Sequence, residues 1–384
     1  MSKKKIAFVF GTRPEAIKMA PLIKAVSANE NFLSTVILTG QHPTMAKEVL
    51  GWFGISADIE TNIHRRDNSL NELLVQLIDN ATSGLAKLSP DLVIVQGDTG
   101  SALAGAISAF HLGIPVAHLE AGLRTGDVNS PFPEEAYRQM ITRIATLHMC
   151  PTRNNKENLV SEGVTKASIM VTGNTVVDAF QVIGAKFSQH ELISRLPRSM
   201  SNAKVVLITA HRRENLGIGM IEISEAIRHL AERYQELSFI FPMHPNPSAR
   251  KEITRILDSI KNVSLLEPLE YPEFLELLSR SKLVLTDSGG VQEEAPILGI
   301  PTLVLRQNTE RPEGVKAGGV KLVGADRVSI IRTFSEIIDD ETILNSMSKA
   351  VNPYGDGRAQ ERCVSMIEEY FGFGTRSEEF ESDL

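Results

Sequence analysis

The chain alternates short, almost wholly apolar runs with amphipathic stretches, and it does so twice. The first series is IAFVF (6–10), STVILTG (34–40), DLVIVQGD (91–98), PVAHLEA (115–121) and SIMVTG (168–173). Between them lie helical patterns such as LNELLVQLIDNATSGLAKL (70–88). Apolar runs bounded by turn residues read as strands covered on both faces. Strands that alternate with helices read as βαβ units on a parallel sheet. After about residue 174 the pattern restarts with VVLITA (205–210), SFIFPMHP (238–245), VSLLEPL (263–269), LVLTDSGG (283–290) and PTLVLR (301–306). The halves share a phrase: HLGIPVAHLEAG (111–122) and ILGIPTLVLRQN (297–308) both read helix end, Leu-Gly-Ile-Pro, strand. We therefore expect an α/β protein of two doubly wound, Rossmann-like domains, 1–173 and 174–357, facing each other across a cleft. A C-terminal helix from about 358 could pack back onto either domain. The acidic tail TRSEEFESDL reads as frayed.

Composition narrows the function. A chain of 384 residues, 42% hydrophobic and 23% charged, is ordinary globular protein of two-domain size. A net charge of −7 argues against a general nucleic-acid binder, which would be basic. Cys150 and Cys363 fit no metal or disulfide framework, which points to a reducing cytoplasm. The apolar run after MSKKK is too short for a signal peptide, and no run approaches a membrane span.

In open α/β sheets, ligands bind beyond the carboxyl ends of the strands, and candidate side chains gather there. FGTRPEAIK follows the first strand. Gly11 suits a tight turn, Pro14 suits a first helical turn, and Arg13 and Lys18 flank N–H groups able to take a phosphate. Asp98 ends a strand, either as a catalytic acid or as a helix cap that Thr99 or Ser101 could replace. Glu120 sits in a strand-like run, where a charge is costly unless it is functional or paired, with Arg124 a candidate partner. Glu134 and Glu135 open a helix, where the dipole favours them, and Arg138 stands at i+4 from Glu134. His211 follows a strand and could serve a leaving phosphate, with Arg212 and Arg213 beside it. In TDSGGVQEEAP, Ser288, Gly289 and Gly290 form a second anion cradle, and Glu294 could take a ribose diol. Arg311 could face a phosphate, and Phe274 either stacks on a base or belongs to the core. Asp287, Glu293 and Asp326 suggest only solvated or capping roles. No Cys/His cluster has metal spacing, so no metal site is expected, and no GxSxG elbow occurs.

GTRPEAIKMAPL, GDT, HLEAGLRTGD, SPFPEE, TGNTVVDA, TAHRREN, TDSGGVQEEAP and TERPE occur in this order over about residues 6–325. In these motifs the chain resembles the non-hydrolysing UDP-N-acetylglucosamine 2-epimerases. The resemblance implies a glycosyltransferase-B-like fold, a UDP-binding second domain, a cleft active site, a homodimer and no cofactor. It implies UDP-N-acetylglucosamine and UDP-N-acetylmannosamine as partners, with no nucleic acid or membrane. It places the catalytic groups on Asp98, Glu120, Glu134, Arg138 and His211. It places substrate binding on Arg13, Lys18, Leu269, Phe274, Ser288, Gly289, Gly290, Glu294 and Arg311. It also implies activation by the substrate, in a pocket drawing on Gln41, His42, Arg65 or Arg66, and His244. Hydrolysing relatives carry GSR and GDR where this chain has GTRPE and GDT. Relatives acting on diacetamido uronic acids carry GARPQ. Tyr137 replaces the usual Asn, GDTGS replaces a Thr-rich run, and Thr44 stands where a second Gln is common. Two rivals share the architecture: a UDP-sugar glycosyltransferase, which needs an acceptor site, and a non-catalytic nucleotide-sugar sensor, which does not need three acids.

Overall fold

The computed structural model describes residues 2–65, 67, 69–187, 204–212, 215–243 and 247–382. Arg66, Arg213 and His244 therefore lie outside the described residues. The chain divides into two units: Met1–Ile183 with Tyr354–Ser382, and Gly184–Pro353. The division falls after Ile183, within the helix that follows TGN, rather than at 173.

In the first unit the strands are β1 (Lys4–Phe10), β2 (Phe32–Leu38), β3 (Ile59–Glu60), β4 (Leu92–Gln96), β5 (Val116–Leu119), β6 (Leu147–Cys150) and β7 (Ile169–Val171). Their helices are α1 (Arg13–Ala28), α2 (Pro43–Trp52), α3 (Leu70–Leu88), α4 (Gly100–His111), α5 (Glu134–Ile144), α6 (Arg153–Ser161) and α7 (Thr175–Phe187). The strands pair in parallel in the order β3-β2-β1-β4-β5-β6-β7. The run Ile6–Phe10 has no exposed surface at all, as a strand covered on both faces should.

The second unit repeats the plan with β8 (Lys204–Thr209), α8 (Ile218–Arg233), β9 (Leu237–Pro242), α9 (Pro247–Leu257), β10 (Val263–Leu266), α10 (Tyr271–Ser279) and β11 (Ser281–Thr286). It continues with α11 (Gly289–Ile297), β12 (Thr302–Val304), α12 (Pro312–Lys316), β13 (Val320–Leu322), α13 (Arg327–Asp339) and α14 (Glu341–Ser348). The parallel order β10-β9-β8-β11-β12-β13 is the doubly wound order again, with its switch point between β8 and β11.

The shared Leu-Gly-Ile-Pro phrase is the same local structure both times. Gly113 and Gly299 adopt φ of 69° and 66°, the left-handed cap after a helix. The following Ile then donates back into the helix, Ile114 N to Ala109 O and Ile300 N to Ala295 O, each at 2.9 Å. Gly11 has a different reason to be glycine. A Cβ there would lie 2.1 Å from Thr39 Oγ1 and 2.4 Å from Ser101 Oγ, so close packing excludes a side chain. The C-terminal helix α15 (Ala359–Phe371) packs on α1. The tail beyond it, through Ser382, is not frayed. Phe380 is buried and donates its N–H to Val171 O at 2.8 Å, Lys156 Nζ meets Glu379 at 2.7 Å, and Arg376 reaches the carbonyls of Ile169 and Ala167 at 2.9 Å. Paired charge and one buried aromatic outweigh the acidic composition.

Candidate active site

In the first unit, four strand ends converge. Glu120, just past β5, is a non-glycine residue with φ of 65°. The left-handed region disfavours a side chain with a Cβ, so surrounding structure must hold it there. Part of that hold is visible. Gly122 follows at φ 89° with its Cα against the Asn155 carbonyl, where a Cβ would come to 2.3 Å. Ala121 N donates to Met149 O on β6 at 3.0 Å. The strained backbone turns the Glu120 carboxylate back over the sheet. There it is 8% exposed, takes Lys18 Nζ of α1 at 2.5 Å and accepts from Gln96 Nε2 at the end of β4. Asn174 Nδ2, past β7, approaches at 3.4 Å. Lys18 is thus not a solvated cation, and the pairing candidate Arg124 is committed elsewhere, to Glu162 at 2.6 and 2.9 Å and to Thr142.

Asp98 is on the adjacent strand end. Thr99 caps α4 by accepting from Ala102 N at 3.0 Å, which settles the capping question and releases Asp98. Its carboxylate receives Arg138 of α5. Arg138 also lies 3.2 Å from buried Glu135, so the charge pairs seen for it run across the strand ends and to i−3. A Cβ on Gly97, the residue before Asp98, would lie 3.5 Å from Glu120 Oε2. Glu134 is the half-buried first residue of α5. Burial and the Glu134 charge raise the Tyr137 hydroxyl above its usual value.

Two further groups escaped sequence reasoning. His118 is fully buried on β5, and burial lowers it to about 3, so it is neutral. Its Nε2 lies 2.7 Å from Gly97 O and steadies the residue before Asp98. Glu15 is also fully buried. Its carboxylate accepts from Gly11 N at 3.1 Å, Thr12 N at 2.8 Å and Thr99 Oγ1 at 2.6 Å, so the N–H groups of the turn just before α1 serve Glu15.

Burial raises Glu15 to about 7, against the lowering effect of those donors. A folded value above the unfolded 4.5 means the fold holds the neutral form, so its stabilisation is present below pH 4.5 and lost as pH rises to 7. Urea unfolding at pH 5 and pH 7.5 should show the natural chain losing about 2 kcal/mol relative to Glu15→Gln. Parallel losses in the two proteins would contradict this.

Beside this cluster is a cavity of about 310 Å³ lined by Gln41, His42, Asn62, His64, Arg65 and Leu73, among others. Burial lowers the His42 imidazole, and the Arg13 and Arg65 charges lower it further, which marks the cavity as electropositive. Gln41 Oε1 is taken by Ser101, at 3.1 Å from N and 2.7 Å from Oγ.

In the second unit, His211 is exposed at the end of β8, while Leu269, Phe274 and Ser288 are partly buried. The Phe274 side chain lies outside the unit's principal core cluster. Glu294 is buried and accepts the Tyr271 hydroxyl at 2.8 Å. Arg311 is 8% exposed, meets Glu293 Oε1 at 2.6 Å and pairs with Glu310. Its guanidinium packs on Gly289, where a Cβ would come to 2.9 Å from Nη1. Glu293 and Asp287 are therefore neither solvated nor caps. Both are buried acceptors, whereas Asp326 does cap α13, accepting from Ser329 N at 2.7 Å. Among the described residues, no group of three or more His, Cys, Asp or Glu is placed to hold a metal ion, and no helix is long and apolar enough to cross a membrane.

The UDP-N-acetylglucosamine 2-epimerase family model matches residues 24–368. The chain belongs to the UDP-N-acetylglucosamine 2-epimerase family. It is 45% identical to the UDP-N-acetylglucosamine 2-epimerase of Neisseria meningitidis, over 94% of this chain and 99% of the relative. It is 44% identical to that of Escherichia coli (strain K12), over 94% of this chain and 98% of the relative. The solved Neisseria meningitidis enzyme, bound to UDP-GlcNAc, matches with a TM-score of 0.91 at 44% identity, covering 95% of this chain and all of that one. The Methanocaldococcus jannaschii enzyme, in complex with UDP-GlcNAc and UDP, matches with a TM-score of 0.84 at 36% identity, covering 96% of this chain and all of that one. The family's activity, epimerisation of UDP-N-acetylglucosamine at C2, is thus the chemistry to be explained by these residues.

Proposed function

We propose that the chain interconverts UDP-N-acetylglucosamine and UDP-N-acetylmannosamine without hydrolysis, by eliminating UDP and adding it back. The observation that carries this reading is Glu120, a carboxylate held in left-handed backbone, paired with buried Lys18 and set next to the Asp98–Arg138 pair. The C2–H of an acetamido sugar has no adjacent carbonyl and is not acidic. Departure of UDP gives C1 oxocarbenium character and makes that proton acidic. Its loss to a carboxylate leaves 2-acetamidoglucal and UDP. Protonation of C2 on the opposite face, and bonding of the UDP oxygen to C1, gives the other epimer. Two faces need two proton-transfer groups, which suits Asp98, Glu120 and Glu134. Cations and donors stabilise the departing diphosphate, a role that suits His211, Arg13 and the Ser288–Gly290 helix start. Leu269, Phe274, Glu294 and Arg311 complete the nucleotide side.

A glycosyltransferase would leave C2 untouched, a sensor would turn nothing over, and a hydrolysing epimerase would release free sugar. Incubation with UDP-N-acetylglucosamine should yield UDP-N-acetylmannosamine to a fixed ratio with no accumulation of free N-acetylmannosamine. Steady release of that sugar with UDP would overturn the reading. The product would supply N-acetylmannosamine for surface polysaccharide, from a cytoplasmic homodimer. The electropositive cavity at Gln41, His42 and Arg65 suits a second, activating molecule of substrate, with Arg66 and His244 assigned to the same role from the motifs. Thr44 is shorter than Gln and offers no amide, so activator binding should be weaker by roughly the 0.5–1.5 kcal/mol of one hydrogen bond. Rate should depend sigmoidally on UDP-N-acetylglucosamine. Hyperbolic kinetics, with an unassisted reverse reaction from pure UDP-N-acetylmannosamine, would remove the activator role.

A further inference from the structure

Between His211 and the Ser288–Gly290 helix start lies Asp287, to which the proposed reaction gives no role. It has no exposed surface. Its carboxylate accepts the backbone N–H of His211 at 3.1 and 2.9 Å, that of Arg212 at 2.9 Å, and Asn215 Nδ2 at 2.9 Å. Asn215 Nδ2 also reaches Leu305 O at 3.2 Å. Asp287 N donates to Thr209 O at 3.0 Å, and Thr209 and Thr286 join their hydroxyls at 2.6 Å. Three donors from the loop after β8 therefore converge on one acid after β11. The next residue, Ser288, stands at the N-cap of α11, which leaves Asp287 turned toward β8.

The first unit carries a counterpart at its own switch point. There buried Glu15 collects the N–H groups of Gly11 and Thr12 after β1 and the hydroxyl of Thr99 after β4. In both units a buried carboxylate ties the loop after the first strand to the turn after its neighbour in the sheet, where ligands of this fold bind.

We propose that Asp287 is a positioning residue, fixing the His211–Arg212 turn against the Ser288–Gly290 helix start so that imidazole and helix N–H groups meet a leaving diphosphate in one geometry. This rests on the reading of His211 and Ser288–Gly290 as diphosphate groups. Asp287→Asn keeps the shape, but one of its two acceptor oxygens becomes an NH2 facing donors. The variant should lose 10- to 100-fold in kcat/KM and roughly tenfold in UDP affinity by calorimetry, on the order expected when a buried polar group goes unmatched. Asp326→Ala removes a helix cap in the same unit and serves as the stability control, with UDP affinity unchanged.

The decisive readout is non-additivity. In a His211→Asn background, Asp287→Asn should cost no more than about threefold further, because both act through one turn. Losses that multiply, or an Asp287→Asn protein within twofold of the natural one in both measurements, would overturn the proposal. If His211→Asn alone changes nothing, the His211 assignment fails, and the UDP affinity of Asp287→Asn decides. A tenfold fall absent from Asp326→Ala keeps Asp287 as the support of the helix start, and an unchanged affinity ends it.

Discussion

Glu120→Gln should cut turnover by roughly 10²–10⁴-fold, the range of a general acid–base contribution, while UDP affinity stays within about threefold. The substitution keeps the size of the side chain and one acceptor oxygen for Lys18, and a flipped Gln96 amide can accept from the new NH2. It removes the charge opposite Lys18 and the ability to take a proton. The left-handed backbone at Glu120 is held by its neighbours and by the Lys18 and Gln96 contacts, which fix the carboxylate in one place. Asp98→Asn and Glu134→Gln should behave alike in steady-state assays, with UDP binding retained. Asp98→Asn should also loosen Arg138, whose guanidinium faces both Asp98 and Glu135. Near-normal turnover in any of the three would strike that residue from the proton-transfer set.

The largest effect on stability is expected at Arg311. It lies between Glu293 and Glu310, each 2% exposed or less, and Arg306 meets Glu310 at 3.0 Å. Removing one partner of a buried pair leaves charge uncompensated, at a cost of about 3–5 kcal/mol. Arg311→Met should therefore lower the unfolding free energy by about that much in urea titration. It should also weaken UDP, because Gly289 at the start of α11 packs on the guanidinium. A loss below about 1 kcal/mol, the level of an exposed pair, would show that the network is not held together by this cation.

The parallel sheets were legible because strands covered on both faces leave continuous apolar runs, and IAFVF and VVLITA mark β1 and β8 without ambiguity. The repeated Leu-Gly-Ile-Pro was legible because one cap geometry demands one residue type at one place. Partners were not legible, because pairs across the sheet are distant in sequence. Glu120 meets Lys18, 102 residues away, rather than Arg124 nearby. Arg138 meets Asp98, 40 residues away. Asp287 read as a solvated or capping acid and Glu15 drew no reading, since the same residue types cap helices and line buried turns. Only burial separates the two roles, and the tail's docking was hidden in the same way.

Proton NMR of the enzyme with UDP-N-acetylglucosamine in D2O tests the central claim most directly. The account predicts that solvent deuterium enters C2 of both epimers while the nucleotide sugar stays intact. Epimerisation with the C2 proton fully retained would contradict it.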